Sequence, residues 1–258
     1  MRRLLPFLLC ATAFAQGPTL PFGFVPQASG GGSAPTVVGA GSGGTGFSST
    51  LTFNIQKPQG TNVSVPSGTK IVLLAACATS ATSSFTVTDN CNTGGTSDTF
   101  STLDAYQQNG TSAGGQTFTA TTGATTSVCT MTVVCAATGG AAAGAAVAYS
   151  GSTGIDIHNL SYQSFPGTGT NAVASTQGTT TDANDLCVTL TADPSGSAET
   201  ITAGTSSVAW TGLSLSPTTD GGTGVEYFDK ATTGTITGTF TTSYAFSLPF
   251  TPLVCAHP

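Results

Sequence analysis

The stretch Ser127–Ala136, reading Ser-Val-Cys-Thr-Met-Thr-Val-Val-Cys-Ala, most constrains what this chain can fold into. Successive side chains of a strand point to opposite faces. Cys129, Met131, Val133 and Cys135 therefore share one face, and Val128, Thr130, Thr132 and Val134 share the other. A face made only of apolar and sulfur-bearing groups is a core face. The two cysteines lie six residues apart on this extended segment. At about 3.3 Å per residue, roughly 20 Å separates them, whereas a disulfide needs Cα atoms within about 7 Å. Cys129 and Cys135 must therefore reach different partners.

The other cysteines depend on the compartment. Arg2 and Arg3, the apolar Leu4–Cys10 and the small-x-small Ala13-Phe14-Ala15 have the layout of a secretory leader. Residues 1–15 are predicted to be a signal peptide, with Gln16 the first mature residue. Leu9 is too large to precede a lipidated cysteine, so Cys10 leaves with the leader. Cys77, Cys91, Cys129, Cys135, Cys187 and Cys255 remain. An even number in an exported chain points to a disulfide framework, and no pair has the Cys-x-x-Cys spacing of a zinc or redox motif. Lys70–Thr79 and Ser83–Asn90 read as a hairpin, with Cys77 near its turn and Cys91 at its open end. If the sheet meanders onward, Cys77 meets Cys129 and Cys91 meets Cys135, which leaves Cys187 for Cys255.

Only 6% of the residues are charged, against about 25% in a typical soluble domain. Past the N-terminus no apolar run approaches the roughly 20 residues of a membrane helix, so no membrane insertion is expected. A mean hydropathy of +0.19 is too high for a disordered chain. The polarity comes from Thr, Ser, Gly and Asn, which favour strands and turns. The predicted class is all-β: a single large antiparallel β-sandwich over residues 35–258, with almost no helix apart from the signal peptide. A flexible Gly/Pro/Ser-rich lead-in, 16–34, precedes it. Ile71–Ala78 is continuously apolar, as in a strand buried on both faces. Ala136–Gly144, nearly all Ala and Gly, reads as a turn before Ala145–Tyr149, and Gly167–Thr181 as a link between two halves that echo each other faintly. Thr235–Leu253 reads as two strands broken near Thr242.

Four stretches resemble an uncharacterised β-sandwich domain common in secreted bacterial proteins. They are Ser67–Ala75, Phe85–Asp89, Ala148–Gly151 and Asp185–Val188, and their order and spacing cover most of residues 36–256. The resemblance implies a jelly-roll or immunoglobulin-like sandwich and supplies no catalytic residues. The chain departs from that pattern in its six mature cysteines and in having no arginine after the leader.

Candidate chemistry is sparse. Asp89–Asp98 offers oxygen ligands suited to calcium, with Asp89, Asn92 and Asp98 the candidates. Asp182–Asp185 and Asp220–Gly222 have similar composition, but the same residues also build turns. Trp210 is a candidate sugar-stacking residue, though its apolar flanks favour core packing. Gly110–Gly114 matches Gly-x-Ser-x-Gly without the helix that a nucleophile elbow needs. Asp156 and His158 share a strand face but lack further partners for metal or acid–base work. Glu226 and Asp229 could act as a glycosidase pair only if they faced each other across a cleft. The sequons at Asn62, Asn109 and Asn159 are expected to be unused, because the leader and the resemblance are bacterial.

After leader removal three lysines face eleven acidic residues, a net charge of −8. That excludes the basic footprint nucleic acid requires and disfavours anionic membrane surfaces. The expected protein is a non-enzymatic, disulfide-stabilised β-sandwich, secreted or held at the cell surface or in the periplasm, serving as a surface, matrix or adhesion component. A carbohydrate-binding module is the alternative, and a glycan-active hydrolase the less favoured one. With so few lysines to discourage edge pairing, self-association through edge strands is expected.

Overall fold

Alternating and apolar segments become twenty strands, and no helix occurs among the described residues. The computed structural model describes residues 32–46, 48–57, 60–78, 85–92, 96–107, 113–124, 128–136, 140–164, 169–195, 200–204, 208, 210–218, 221–244 and 248–258. The signal peptide, most of the lead-in and Gly110–Ser112 of the Gly-x-Ser-x-Gly match lie outside them.

The first half comprises β1 (Thr36–Thr45), β2 (Thr50–Asn54), β3 (Gln56–Lys57), β4 (Thr61–Asn62), β5 (Lys70–Ala78), β6 (Phe85–Asp89), β7 (Ser101–Gln107), β8 (Ala113–Thr121), β9 (Thr130–Cys135) and β10 (Ala142–Ser150). Seven of these form one sheet, β4-β3-β1-β10-β5-β8-β7, and three form another, β2-β9-β6. The second half comprises β11 (Gly154–Tyr162), β12 (Gly169–Ala174), β13 (Gly178–Thr180), β14 (Asp185–Ala192), β15 (Thr200–Ala203), β16 (Thr211–Thr218), β17 (Gly221–Lys230), β18 (Gly234–Ile236), β19 (Thr239–Tyr244) and β20 (Phe250–His257). Its sheets are β11-β20-β14-β17-β16, β12-β19-β15 and the ribbon β13-β18. All pairings described are antiparallel.

Setting aside the short β3, β4, β13 and β18, the two halves wind identically. Numbered within its own half, each has eight principal strands in the order 1-8-3-6-5 facing 2-7-4. The expected single sandwich is thus replaced by several sheets arranged as two sandwiches, and the faint echo between the halves is a repeat of topology. Gly167–Thr181, expected to be the link, instead contains β12 and β13. The halves are joined at Gly151–Thr153.

Two cores explain the sequence pattern of the first half. Odd-numbered residues of β5 (Ile71, Leu73, Ala75, Cys77) pack with Leu51, Phe53, Met131 and Val133 of the small sheet. Even-numbered residues (Val72, Leu74, Ala76) pack with Leu186, Val188, Leu190 and Val254 of the second half. The strand is buried on both faces because its sheet lies between two others. Ala143, Ala145 and Val147 of β10 join the second core. Ala142–Gly144, expected to be turn, extends this strand. Small residues are needed there, because a Cβ on Gly144 would stand 3.1 Å from the Phe53 ring.

The expected hairpin of β5 with β6 does not form. β5 pairs with β10 and β8, whereas β6 pairs with β9 in the opposite sheet. This overturns two of the expected bridges. The β6–β9 register sets Phe85 opposite Cys135 and Asp89 opposite Met131, so Cys91 comes opposite Cys129, with Cα atoms 4.5 Å apart. Cys77 points inward from the facing sheet and bonds Cys135, at 6.1 Å. Cys187 and Cys255 pair as expected, directly across β14 and β20 at 4.0 Å.

Candidate functional site

A cleft of about 620 Å³ opens where the ends of β5, β8 and β10 meet the start of β11. Its walls carry the hydroxyls of Ser97, Thr99, Ser101, Thr119, Thr121 and Ser152, together with Lys70, Asn92 and Asp98. The Lys70 ammonium donates to Thr121 Oγ1 at 2.8 Å. Tyr149 also lines the cleft but is 1% exposed, and burial pushes its phenol above the usual range. Alternation along the strands places these hydroxyls. Thr119 and Thr121 lie on one face of β8 while Phe118 and Ala120 are buried.

The calcium candidates meet at one end of this cleft. Asp89 ends β6, and its Oδ1 accepts the backbone N–H groups of Asp98 (3.0 Å) and Cys91 (3.3 Å). Asp98 Oδ1 accepts from Asn92 Nδ2 (2.5 Å) and from the Gly123 N–H (3.0 Å). Burial first, then the charge of Asp98, lifts the Asp89 carboxyl to about 6 despite these backbone bonds. The Cys91–Cys129 bridge fixes the segment against the small sheet.

Asp156 and His158 do not work together. The β11–β20 register slips between Ile155 and Ile157, so Asp156 sits in a bulge. Its carboxylate accepts from the Thr181 N–H (2.7 Å) and hydroxyl (2.5 Å). Partial burial opposes its charge, but these bonds outweigh that and hold the carboxyl below its usual range. His158 Nδ1 instead meets Asp104 Oδ2 of β7 at 2.9 Å, joining the two halves. Asp185 is fully buried, and burial first, then the neighbouring Asp156, raises its carboxyl to about 7. No group of three or more acidic, histidine or cysteine side chains suited to a metal occurs among the described residues.

Glu226 and Asp229 point to opposite faces of β17, so they form no pair. Glu226 lies inside the second sandwich at 0% exposure, where Oε2 accepts the Gly204 N–H at 3.2 Å. Burial outweighs its backbone hydrogen bonds and pushes its carboxyl to about 8. Asp229 is exposed. Trp210 precedes β16 and is 6% exposed, packing on Phe228 at 6.2 Å and donating Nε1–H to the Thr237 carbonyl. Its faces lie in the core.

Lys70 and the cleft hydroxyls escaped notice in the sequence. They come from four separate segments, near residues 70, 97–101, 119–121 and 149–155. Serines and threonines occur throughout the chain, so no local signal marks these ones. Comparison with known proteins finds no matching family model, curated protein or solved structure.

Proposed function

We propose that the protein is an exported, non-enzymatic surface, matrix or adhesion component built from two jelly-roll sandwiches in tandem. The repeated order 1-8-3-6 facing 2-7-4, with strand 5 at the edge of the larger sheet, supports the jelly-roll reading. Three buried disulfides are consistent with an oxidising extracellular location. No helix among the described residues is long and apolar enough to cross a membrane. The edge strands β2, β6, β12, β15 and β16 carry no lysine, so self-association through them belongs to the same reading. Light scattering that finds a strict monomer at high concentration would remove that part.

One observation carries the non-enzymatic reading. The open cleft presents hydroxyls, one ammonium and one carboxylate, while Glu226 is sealed inside a sandwich. Two carboxylates flanking a substrate, as glycoside hydrolysis needs, are not what this cleft offers. Hydroxyl-rich walls with one ammonium, spent on Thr121, and one nearly buried carboxylate suit an uncharged, hydroxylated ligand, which favours glycan binding as the second reading. The test is retention of the secreted chain on insoluble polysaccharides, with release of soluble sugar followed in parallel. Retention without release is expected, weakened at least tenfold by Ser101→Trp, which fills the cleft. Release of sugar would overturn the non-enzymatic reading, and absence of retention the glycan reading.

A further inference from the structure

We propose that Asp89, Asn92 and Asp98 form a calcium site in the wall of the cleft. The inference stands apart from the glycan reading, since the ion can bind whether or not the cleft takes a sugar.

Three side-chain oxygens in this cluster are buried without a hydrogen-bond donor: Asp89 Oδ2, Asn92 Oδ1 and Asp98 Oδ2. The N–H groups of Cys91, Asp98 and Gly123 and the Asn92 amide donate to the other oxygen of each carboxylate. Asp89 and Asp98 are only 7% and 8% exposed. An unpartnered buried acceptor is costly, and a charged one more so. No lysine answers these charges among the described residues. Lys70 lines the same cleft, but its ammonium sits on Thr121, and the one ion pair described is His158–Asp104. A cation bound among them would supply the partner that these oxygens lack.

The donor set identifies the ion. Two carboxylates and an amide carbonyl are hard oxygen ligands, suited to calcium rather than zinc. Gly123 supports the cradle, since a Cβ there would stand 2.9 Å from Asn92 Oδ1. Asn92 and Asp98 line the cleft, which gives an ion a path to the cluster. With three protein groups, the affinity belongs with weak extracellular sites, about 0.1–1 mM.

The test is calorimetric titration of CaCl₂ into the full chain after chelator treatment, with thermal unfolding in CaCl₂ and in MgCl₂. One saturable site is expected, with a rise in Tm specific to calcium. Asp89→Asn and Asp98→Asn should lose both, and Asp185→Asn should keep both. Asn92→Asp adds a charge at a ligand position and should tighten binding several-fold, a gain that misfolding cannot mimic. The proposal is overturned by absence of saturable heat in the unaltered protein. Binding unchanged in Asp89→Asn and Asp98→Asn, or not tightened in Asn92→Asp, overturns it equally.

Discussion

Glu226 sets a charge problem that the second sandwich solves with a proton. Oε1 of the fully buried side chain has no donor, while Oε2 takes the Gly204 N–H. Burial holds the carboxyl near 8 against an ordinary 4.5, so it stays neutral in the fold over a range where the unfolded chain ionises. The stability tied to it is complete below pH 4.5, declines as pH rises toward about 8, and is gone above that. Each tenfold difference in proton affinity between fold and unfolded chain is worth about 1.4 kcal/mol, which makes the loss on the order of a few kcal/mol. Glu226→Gln keeps the shape without the titration, so its stability relative to the unaltered protein should rise between pH 5 and pH 8.5. Urea unfolding at both pH values measures this, and an equal difference at both would refute it. Single residues were the least legible scale. The alternation of Cys129, Met131, Val133 and Cys135 correctly marked a core face. Bridge partners depended on which sheet β6 joins, and the sequence between Ala78 and Phe85 carries no signal for a crossing between sheets. The buried side of Trp210 was legible from its apolar neighbours, whereas the isolation of Glu226 was not, because an acid three residues before Asp229 in one strand reads as part of a surface pair.

At the scale of elements, the glycines of β1 have a physical reason. After β2 the chain passes directly over β1 to form β3, which pairs Ala40 with Gln56. A Cβ on Gly39 would stand 2.7 Å from the Gln56 carbonyl oxygen, and one on Gly41 would press still harder on that of Asn54. Backbone atoms cannot yield as a side chain can. Gly41→Ala should therefore destabilise the protein by roughly 3 kcal/mol, at the upper end of overpacking penalties. Gly43→Ala meets side-chain atoms, Leu51 at 3.3 Å and Phe53 at 3.6 Å, and should have a much smaller effect. Denaturant unfolding of the two variants distinguishes them, and equal stabilities would contradict the crossing. Strands with regular patterns were legible: Ile71–Ala78 announced burial on both faces through its unbroken apolar run, and β5 has it. Strands built from Thr, Gly and Ala were hidden. β12 and β13 looked like linker, Ala142–Gly144 like turn, and Thr242 like a break although it lies within β19. Their side chains are too small or too polar to mark a face, and their strand identity comes from the neighbours they pair with.

At the scale of the molecule, two sandwiches meet over a seam of Ala, Val and Leu shared by β5, β10, β14 and β20. Ser42 and Ser214 hydroxyls meet across it at 2.9 Å, and Tyr106 stacks on Tyr162 at 5.3 Å. The doubly buried β5 was the sequence's one hint of a third layer, but what covers the far face of a strand is a long-range fact that local pattern does not encode. Each sandwich is stapled within itself, the first by two bridges and the second by one. Each bridge stabilises its own half by roughly 2–4 kcal/mol. The most direct test of two self-stapled sandwiches is disulfide mapping of the non-reduced protein. Met131 is the one methionine beyond Met1, so cyanogen bromide cuts between Cys129 and Cys135, and pepsin can then separate Cys77 from Cys91. The predicted peptides join Cys77 to Cys135, Cys91 to Cys129 and Cys187 to Cys255. A peptide joining Cys77 to Cys129, or any bridge between the first four cysteines and the last two, would contradict the architecture.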